Sequence, residues 1–144
     1  MKILQYNNIQ DKKILDSICD DCDISDKETL EKYKNEMIMI CKKLNWVWLA
    51  SNQIWITKRF FLIYTKNLNE FYINPVLTKW VWNILSKEWC LSFKWYWLKD
   101  VNRFKKVYIE YTSIDDWERY KQVLEWLESI VFQHELDHLN WKTI

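Results

Sequence analysis

At 144 residues with a formal net charge of +1, the chain has the length of one domain and lacks the charge excess that draws proteins to nucleic acids or anionic membranes. Hydrophobic residues form 49% of the chain and aromatic residues 17%, a composition that excludes an intrinsically disordered protein. Since no apolar run is long enough for a signal peptide or a membrane span, we expect one cytoplasmic domain over residues 1–144, with no DNA or membrane partner.

Two helices are predicted in the first third of the chain. Residues 11–21 form the first, and Ser25 opens the second, because Ser25 and Glu28 stand at the spacing of a capping box. Apolar residues then recur at intervals of three and four, namely Leu30, Tyr33, Met37, Ile40, Cys41 and Leu44. This period predicts a helix with one buried stripe.

Four cysteines are few for a secreted disulfide scaffold, so we expect reduced thiols. Cys19 and Cys22 have the spacing of half a zinc ribbon. No second pair with this spacing follows, and we therefore interpret these two cysteines as part of a polar helix end.

Short β-rich runs separated by polar turns fill the chain from residue 54 to residue 123. The runs lie at residues 60–64, 71–73, 76–81 and 107–111. A last helix is predicted from residue 124 to residue 139. Helices, then antiparallel strands, then one closing helix is the element order of an α+β domain.

The strongest chemical signal is the segment QHELDHL at residues 133–139, inside the last predicted helix. His134 and His138 are four residues apart and therefore lie on one helix face, where both can reach one metal ion. Glu135 is placed to hold a proton beside metal-bound water. Three apolar residues share the histidine face, which we expect to be buried: Leu127, Ile130 and Val131.

A catalytic site of the zinc type uses three protein ligands and keeps one position open. Only six residues follow His138, so the third ligand is expected upstream. Cys90, which we expect in a strand with polar neighbours, offers a soft thiolate ligand. The alternative is a pair of core histidines and an inert buried thiol. Against that alternative, His134 and His138 are the two histidines of the chain, and both fall in this one pattern.

Three segments, in order, resemble the motifs of the peptide deformylase family. That family carries Gly-x-Gly-Leu-Ala-x-x-Gln, Glu-Gly-Cys-Leu-Ser and Gln-His-Glu-x-Asp-His-Leu. In this chain the third motif is intact at residues 133–139, the second reads EWCLS at residues 88–92, and the first reads WVWLASNQ at residues 46–53. The resemblance implies an α+β fold in which antiparallel strands pack around a central metal-binding HExxH helix, with N-terminal helices.

The resemblance also implies a metal and a reaction. Cys90, His134 and His138 would bind one divalent metal ion, Fe(II) or Zn(II), which lowers the pKa of its bound water to about 7. The chain would then be a metallo-amidohydrolase that removes the N-formyl group from the N-terminal methionine of nascent polypeptides and releases formate. Its partners would be N-formylmethionyl nascent peptides and, transiently, the ribosome.

Catalytic and substrate-binding roles follow from the same resemblance. The side-chain amide of Gln53 and the backbone N–H of Leu91 would stabilise the oxyanion. Glu135 would take a proton from water and pass it to the leaving amine. The methionine pocket would be lined by Val47, Trp48, Leu127, Ile130 and Val131. A basic stretch that could touch RNA, but is more simply a solvated loop, comprises Lys94, Lys99, Arg103, Lys105 and Lys106.

Two other functions stay open from the sequence. A general zinc peptidase is disfavoured by the upstream Cys90 and by the segment that ends in Gln53. A metal-binding but catalytically inactive homologue, acting as a structural or peptide-binding module, would result if tryptophan rings filled the cleft. The rings concerned are those of Trp46, Trp48 and Trp89, which stand where the family motifs carry glycine.

The chain has 11 tryptophans and no glycine, although average usage predicts about ten glycines in this length. Trp46 and Trp141 follow predicted helix ends, where left-handed glycine is common, and Trp126 also lies where relatives carry glycine. Trp117 closes a predicted hairpin turn after two aspartates. We hypothesise that the source reads the codon UGA as glycine. The rival hypothesis is a genuine tryptophan-rich chain of low stability.

Overall fold

A computed structural model of the chain describes residues 2–66, 68–93 and 98–142. Its elements are α1 (Ile9–Leu15), α2 (Lys27–Leu44), β1 (Trp48–Ala50), a 3-10 turn (Ser51–Ile54), β2 (Phe60–Tyr64), β3 (Asn69–Glu88), β4 (Lys99–Ser113), β5 (Arg119–Glu125) and α3 (Trp126–Leu139). The five strands form one sheet in the order β1-β2-β3-β4-β5, and each neighbouring pair is antiparallel. The predicted α+β class is therefore confirmed.

The first helix is shorter than predicted, and this changes the setting of two cysteines. α1 ends at Leu15, so Cys19 and Cys22 lie in irregular chain between the helices and not at a polar helix end. Both are buried, with 2% and 8% of their surfaces exposed. Burial raises the pKa of Cys19 to about 11 and that of Cys22 to about 12. Both are therefore protonated packing residues.

The second helix begins one residue later than predicted and uses a different cap. Asp26, not Ser25, is the N-cap residue, and its side chain accepts a hydrogen bond from the Thr29 N–H. The predicted capping box of Ser25 and Glu28 is therefore wrong. The predicted apolar stripe is buried at Leu30, Met37 and Cys41, half-buried at Tyr33 and Ile40, and exposed at Leu44.

The strands are longer than the apolar runs that predicted them. Residues 60–64 form β2 as expected, but the runs at 71–73 and 76–81 belong to the single 20-residue strand β3. β3 pairs with the 15-residue β4, and the register shifts twice, between Ile73 and Val76 and between Leu77 and Lys79. β5 continues to Glu125, so Leu124 lies in a strand and α3 begins at Trp126.

Strand β2 is buried on both faces, because helices cover the sheet on either side. Phe60 and Leu62 point into a core shared with α2, whereas Phe61 and Ile63 point into a core shared with α3. In the second core, the Phe132 ring of α3 packs edge-on against Phe61 and Tyr72, with ring centroids 5.2 and 5.4 Å apart. This packing fixes α3 against the sheet.

Most of the described residues with a left-handed backbone conformation are tryptophans. Among the described residues, non-glycine positive φ angles occur at Asn45 (51°), Trp55 (74°), Asn74 (49°), Trp82 (56°), Trp117 (65°), Trp126 (55°) and Trp141 (58°). The expected left-handed residue after α2 is therefore Asn45 and not Trp46. The expectation for Trp117 in the β4–β5 turn and for Trp141 after α3 is confirmed. No helix within the described ranges is both long and apolar enough to cross a membrane.

Candidate metal centre

Three buried side chains with metal-binding atoms converge beside α3. His134 and His138 lie one helical turn apart, with ring centroids separated by 5.2 Å. Cys90 lies just beyond the end of β3, so the expectation of a strand cysteine is wrong. The Cys90 Sγ lies 3.2 Å from His138 Nε2, and one donor atom from each of the three residues lies within 4.8 Å of the others.

The donor set fits a divalent transition metal. In a tetrahedral site, metal–sulfur and metal–nitrogen bonds of about 2.3 and 2.1 Å place the two donors roughly 3.6 Å apart, close to the 3.2 Å between Cys90 and His138. Burial holds the pKa of His138 well below its usual value, so the imidazole is neutral. Burial also raises the pKa of the Cys90 thiol to about 12, and a bound cation would favour its thiolate.

Glu135 is an acid buried beside these donors. None of its surface is exposed, and neither carboxyl oxygen has a hydrogen-bond partner among the described residues. The nearer oxygen lies 3.8 Å from His134 Nε2. Burial raises the pKa of Glu135 well above its usual value. A buried carboxyl group without partners costs free energy, so this position favours a ligand or water that completes the site.

A buried ion-pair network orients His134, and the sequence analysis missed it. The His134 Nδ1 lies 2.9 Å from Glu88 Oε2, so its other ring nitrogen, Nε2, faces the centre. Arg103 donates two hydrogen bonds of 2.8 Å to the Glu88 carboxylate and a third to Asp137. Burial alone would raise the pKa of Glu88, but its hydrogen bonds to Arg103 and His134 lower that pKa to about 2.

The ion-pair network shows that the predicted basic stretch is not a continuous solvated surface. Arg103 is only 4% exposed and is held by Glu88 and Asp137, so it is not a surface cation. Lys106 is paired with Glu125, and Lys94 lies outside the described residues. The signal that could have identified Glu88 is its place in the EWCLS segment, two residues before the proposed cysteine ligand.

Gln53 reaches the centre from the 3-10 turn that follows β1. Its Oε1 accepts a hydrogen bond from the Ala50 N–H, which fixes the orientation of the amide. Its Nε2 lies 3.4 Å from Cys90 Sγ and 3.1 Å from Ser92 Oγ. Leu91 is half-buried beside these residues, and its carbonyl accepts a hydrogen bond from Gln5. Residues separated widely in sequence are thus brought together as expected.

A cavity of about 200 Å³ opens beside His134. It is lined by Trp48, Ser86, Lys87, Glu88, Trp89, Leu127, Ile130, Val131 and His134. Val47, which was expected in the pocket, does not line it. Leu127 does line it but is 66% exposed, so the expected burial of the whole histidine face is wrong at that residue.

Three indole rings crowd the edge of this cavity. The Trp46 ring lies 5.0 Å from that of Trp48 and 4.4 Å from that of Trp89, measured between centroids. Trp89 also lines a second cavity of about 580 Å³, together with Trp46, Lys2 and Phe93. The Trp48 indole N–H is buried without a hydrogen-bond partner in the described part of the chain. The rings therefore occupy space next to the metal-binding side chains, and their packing leaves the Trp48 N–H without a hydrogen bond to any described residue, which costs free energy.

Comparison with known proteins gives one consistent result. The sequence model of the family described as polypeptide deformylase matches residues 1–144. A peptide deformylase of Karelsulcia muelleri is 35% identical over 100 residues, which are 65% of this chain and about half (52%) of that relative. A peptide deformylase of Thermotoga petrophila is 34% identical over 114 residues, 78% of this chain and 68% of the relative. The crystal structure of Thermotoga maritima peptide deformylase has a TM-score of 0.88 at 28% identity, covering 99% of this chain and 92% of that one.

Proposed function

Because the chain belongs to the polypeptide deformylase family, we propose that it hydrolyses the N-formyl group from the N-terminal methionine of nascent polypeptides and releases formate. The observation that carries this proposal is the buried group of Cys90, His134 and His138, with Glu135 against it. One domain over residues 1–144 performs the reaction. Because its substrates are nascent chains, the reaction takes place beside the ribosome in the cytoplasm.

The proposed metal ligands are Cys90, His134 and His138. Fe(II) or Zn(II) held by these three would supply Lewis acidity and a bound water of lowered pKa. Glu88 supports this site by accepting the hydrogen bond of His134 Nδ1, which leaves Nε2 for the ion. Arg103 holds Glu88 in place with two hydrogen bonds.

Glu135 and Gln53 carry the proposed proton transfer and charge stabilisation. Water oxygen bonds to the formyl carbon, the carbon–nitrogen bond breaks, and Glu135 passes the proton of the water to the leaving amine. Gln53 Nε2 lies 3.4 Å from the Cys90 sulfur, and an N–H of this amide is the proposed donor to the formyl oxygen. The backbone N–H of Leu91 is the second proposed donor.

The cavity beside His134 is the proposed site for the methionine side chain. Leu127, Ile130 and Val131 give it one apolar wall, and Trp48 gives it another. An unbranched thioether fits such a wall because it packs in irregular apolar spaces. Lys99, at the exposed start of β4, is the proposed place of a transient ribosome contact.

Formate release from a formyl-methionyl peptide tests the proposal. We expect the metal-loaded protein to release formate from the formylated peptide and to leave the peptide bonds of the unformylated peptide intact, since a general peptidase would cleave those bonds. The assay is run on the tryptophan chain and on a version with glycine at all tryptophan positions. Metal-loaded protein that is inactive in both versions would contradict the proposal.

A further inference from the structure

The left-handed residues of the chain are of two kinds, asparagine and tryptophan. Asparagine tolerates this conformation because its short polar side chain bonds locally, whereas a bulky side chain clashes with the following carbonyl group. Glycine adopts it freely because it has no Cβ. Five of the seven residues with positive φ are tryptophan, and no described residue other than asparagine or tryptophan has this conformation. The tryptophans thus occupy positions that suit glycine.

The surroundings of Trp141 illustrate why glycine is required. Trp141 follows the C-cap residue Asn140, and the Lys142 N–H bonds the carbonyl oxygen of Asp137 at 2.9 Å. That hydrogen bond is the one that defines a Schellman motif, whose left-handed residue is usually glycine. Trp117 has an equivalent role in the β4–β5 turn, where its N–H bonds the Ser113 carbonyl at 3.0 Å.

The side chains of four left-handed tryptophans are largely exposed, so their burial contributes little free energy to offset the unfavourable backbone conformation. Trp55, Trp82, Trp126 and Trp141 are between 49% and 65% exposed. Within the described residues, the fully buried core contains phenylalanine, tyrosine, leucine, isoleucine and methionine but no tryptophan. Selection for tryptophan would have placed these large apolar rings in the core, where their burial stabilises a fold.

Three tryptophans near the metal centre have ordinary backbone angles, but the crowding of their side chains also favours glycine at these positions. The Trp46 ring contacts those of Trp48 and Trp89, and the buried Trp48 N–H has no hydrogen-bond partner among the residues that the structure describes. Residues without side chains at these positions would remove the unsatisfied group. They would also join the cavity beside His134 to the larger one that Trp89 shares with it.

We infer that all 11 tryptophans of this sequence are glycine in the protein that its source makes. The total absence of glycine agrees, since a one-for-one replacement leaves none. A single cause suffices. The codon UGA differs by one base from the tryptophan codon UGG and from the glycine codon GGA, and a source that reads UGA as glycine would produce this pattern.

Sequencing the gene and the native protein tests this inference without any measurement of activity. We expect UGA at every tryptophan position and glycine in the corresponding peptides by mass spectrometry. A UGG codon at any of these positions, or tryptophan in the native peptides, overturns it. Because neither readout depends on catalysis, failure here is distinguishable from failure of the proposed deformylase activity.

Two exposed residues of β3 provide a matched test of the backbone argument. Trp82 is left-handed and 65% exposed, whereas Trp80 is 52% exposed and has no positive φ. We expect Trp82→Gly to unfold at a higher urea concentration than Trp82→Ala, and Trp80→Gly to unfold at a lower one than Trp80→Ala. An alanine variant at position 82 as stable as the glycine variant would contradict the requirement for glycine there.

Discussion

At the scale of single residues, the centre depends on groups that burial alone would make unfavourable. Cys90, His138 and Glu135 are each at most 2% exposed, and each has a pKa shifted toward its neutral form. A bound cation would reverse this preference for Cys90 and would use the neutral imidazole of His138 as a ligand, and water on that cation would give Glu135 a partner. The shifts toward neutral forms are therefore consistent with a site that a bound metal cation would complete.

Metal binding should depend on Cys90. We expect Cys90→Ala to lose tight binding of Zn(II) or Fe(II), because two imidazoles and water make a weaker site than one that includes a thiolate. Cys19→Ala is the matched control, since Cys19 is another thiol of 2% exposure but lies outside the donor group. Metal content after dialysis measures both variants. Full occupancy in Cys90→Ala would remove Cys90 from the ligand set.

Proton transfer should depend on Glu135. We expect Glu135→Ala to retain its metal but to lose roughly 10²–10⁴-fold in kcat, the usual contribution of a positioned acid or base. Glu128→Ala, which changes an exposed glutamate of the same helix, should leave both properties unchanged. The parent is whichever of the tryptophan and glycine forms releases formate. Near-normal turnover in Glu135→Ala would exclude this role.

The stability contributed by Glu88 should depend on pH. The folded pKa of about 2 lies below the ordinary value of 4.5, so the stabilisation is present above pH 4.5 and is lost as the pH falls toward 2. At pH 7 we expect Glu88→Gln to lower the free energy of unfolding by about 3 kcal/mol.

Urea unfolding between pH 7 and pH 3 measures this dependence. The difference between the parent and Glu88→Gln should shrink below pH 4.5. Glu118→Gln, at an exposed carboxylate, controls for the general effect of acid. A difference that stays constant over this range would show that Arg103 and His134 do not stabilise the ionised form of Glu88.

At the scale of elements, the ring of Phe132 is a main contact between α3 and the sheet. Phe132 is fully buried between Phe61 and Tyr72, so Phe132→Ala leaves a cavity under the helix that carries both histidines. We expect a loss of about 3–5 kcal/mol in the free energy of unfolding. Met39→Ala, at an apolar residue that is 70% exposed, should cost little. Equal unfolding midpoints for the two variants would contradict this role of Phe132.

The periodicity of apolar residues predicted which helices and strands form, but it predicted less well where each of them begins and ends. The α2 stripe and the histidine spacing are local patterns, and both were identified from sequence. The predicted runs at 71–73 and 76–81 are separated by Asn74 and Pro75, but β3 continues through both residues with a shift in register. The buried role of Arg103 could not be predicted, since it depends on Glu88 and Asp137 arriving from two other elements.

At the scale of the molecule, metal should stabilise the whole fold, because the donors come from separate elements and meet only in the folded state. At a free metal concentration about 100 times the Kd, the expected gain is about 2.7 kcal/mol. Thermal unfolding with and without Zn(II) measures the gain, and Cys90→Ala should abolish it. The same midpoint for the parent chain with and without metal would contradict a specific site.

Chain order has a consequence for how the protein is made. Cys90 precedes α3, so Cys90 leaves the ribosome before His134 and His138. A chain from which Cys90 but not α3 has emerged therefore holds one of the three proposed ligands. Under the proposed function, such a chain lacks the complete ligand set and is not yet an enzyme. The metal centre is therefore assembled only after His138 has left the ribosome, and the enzyme can act on nascent chains only from that point.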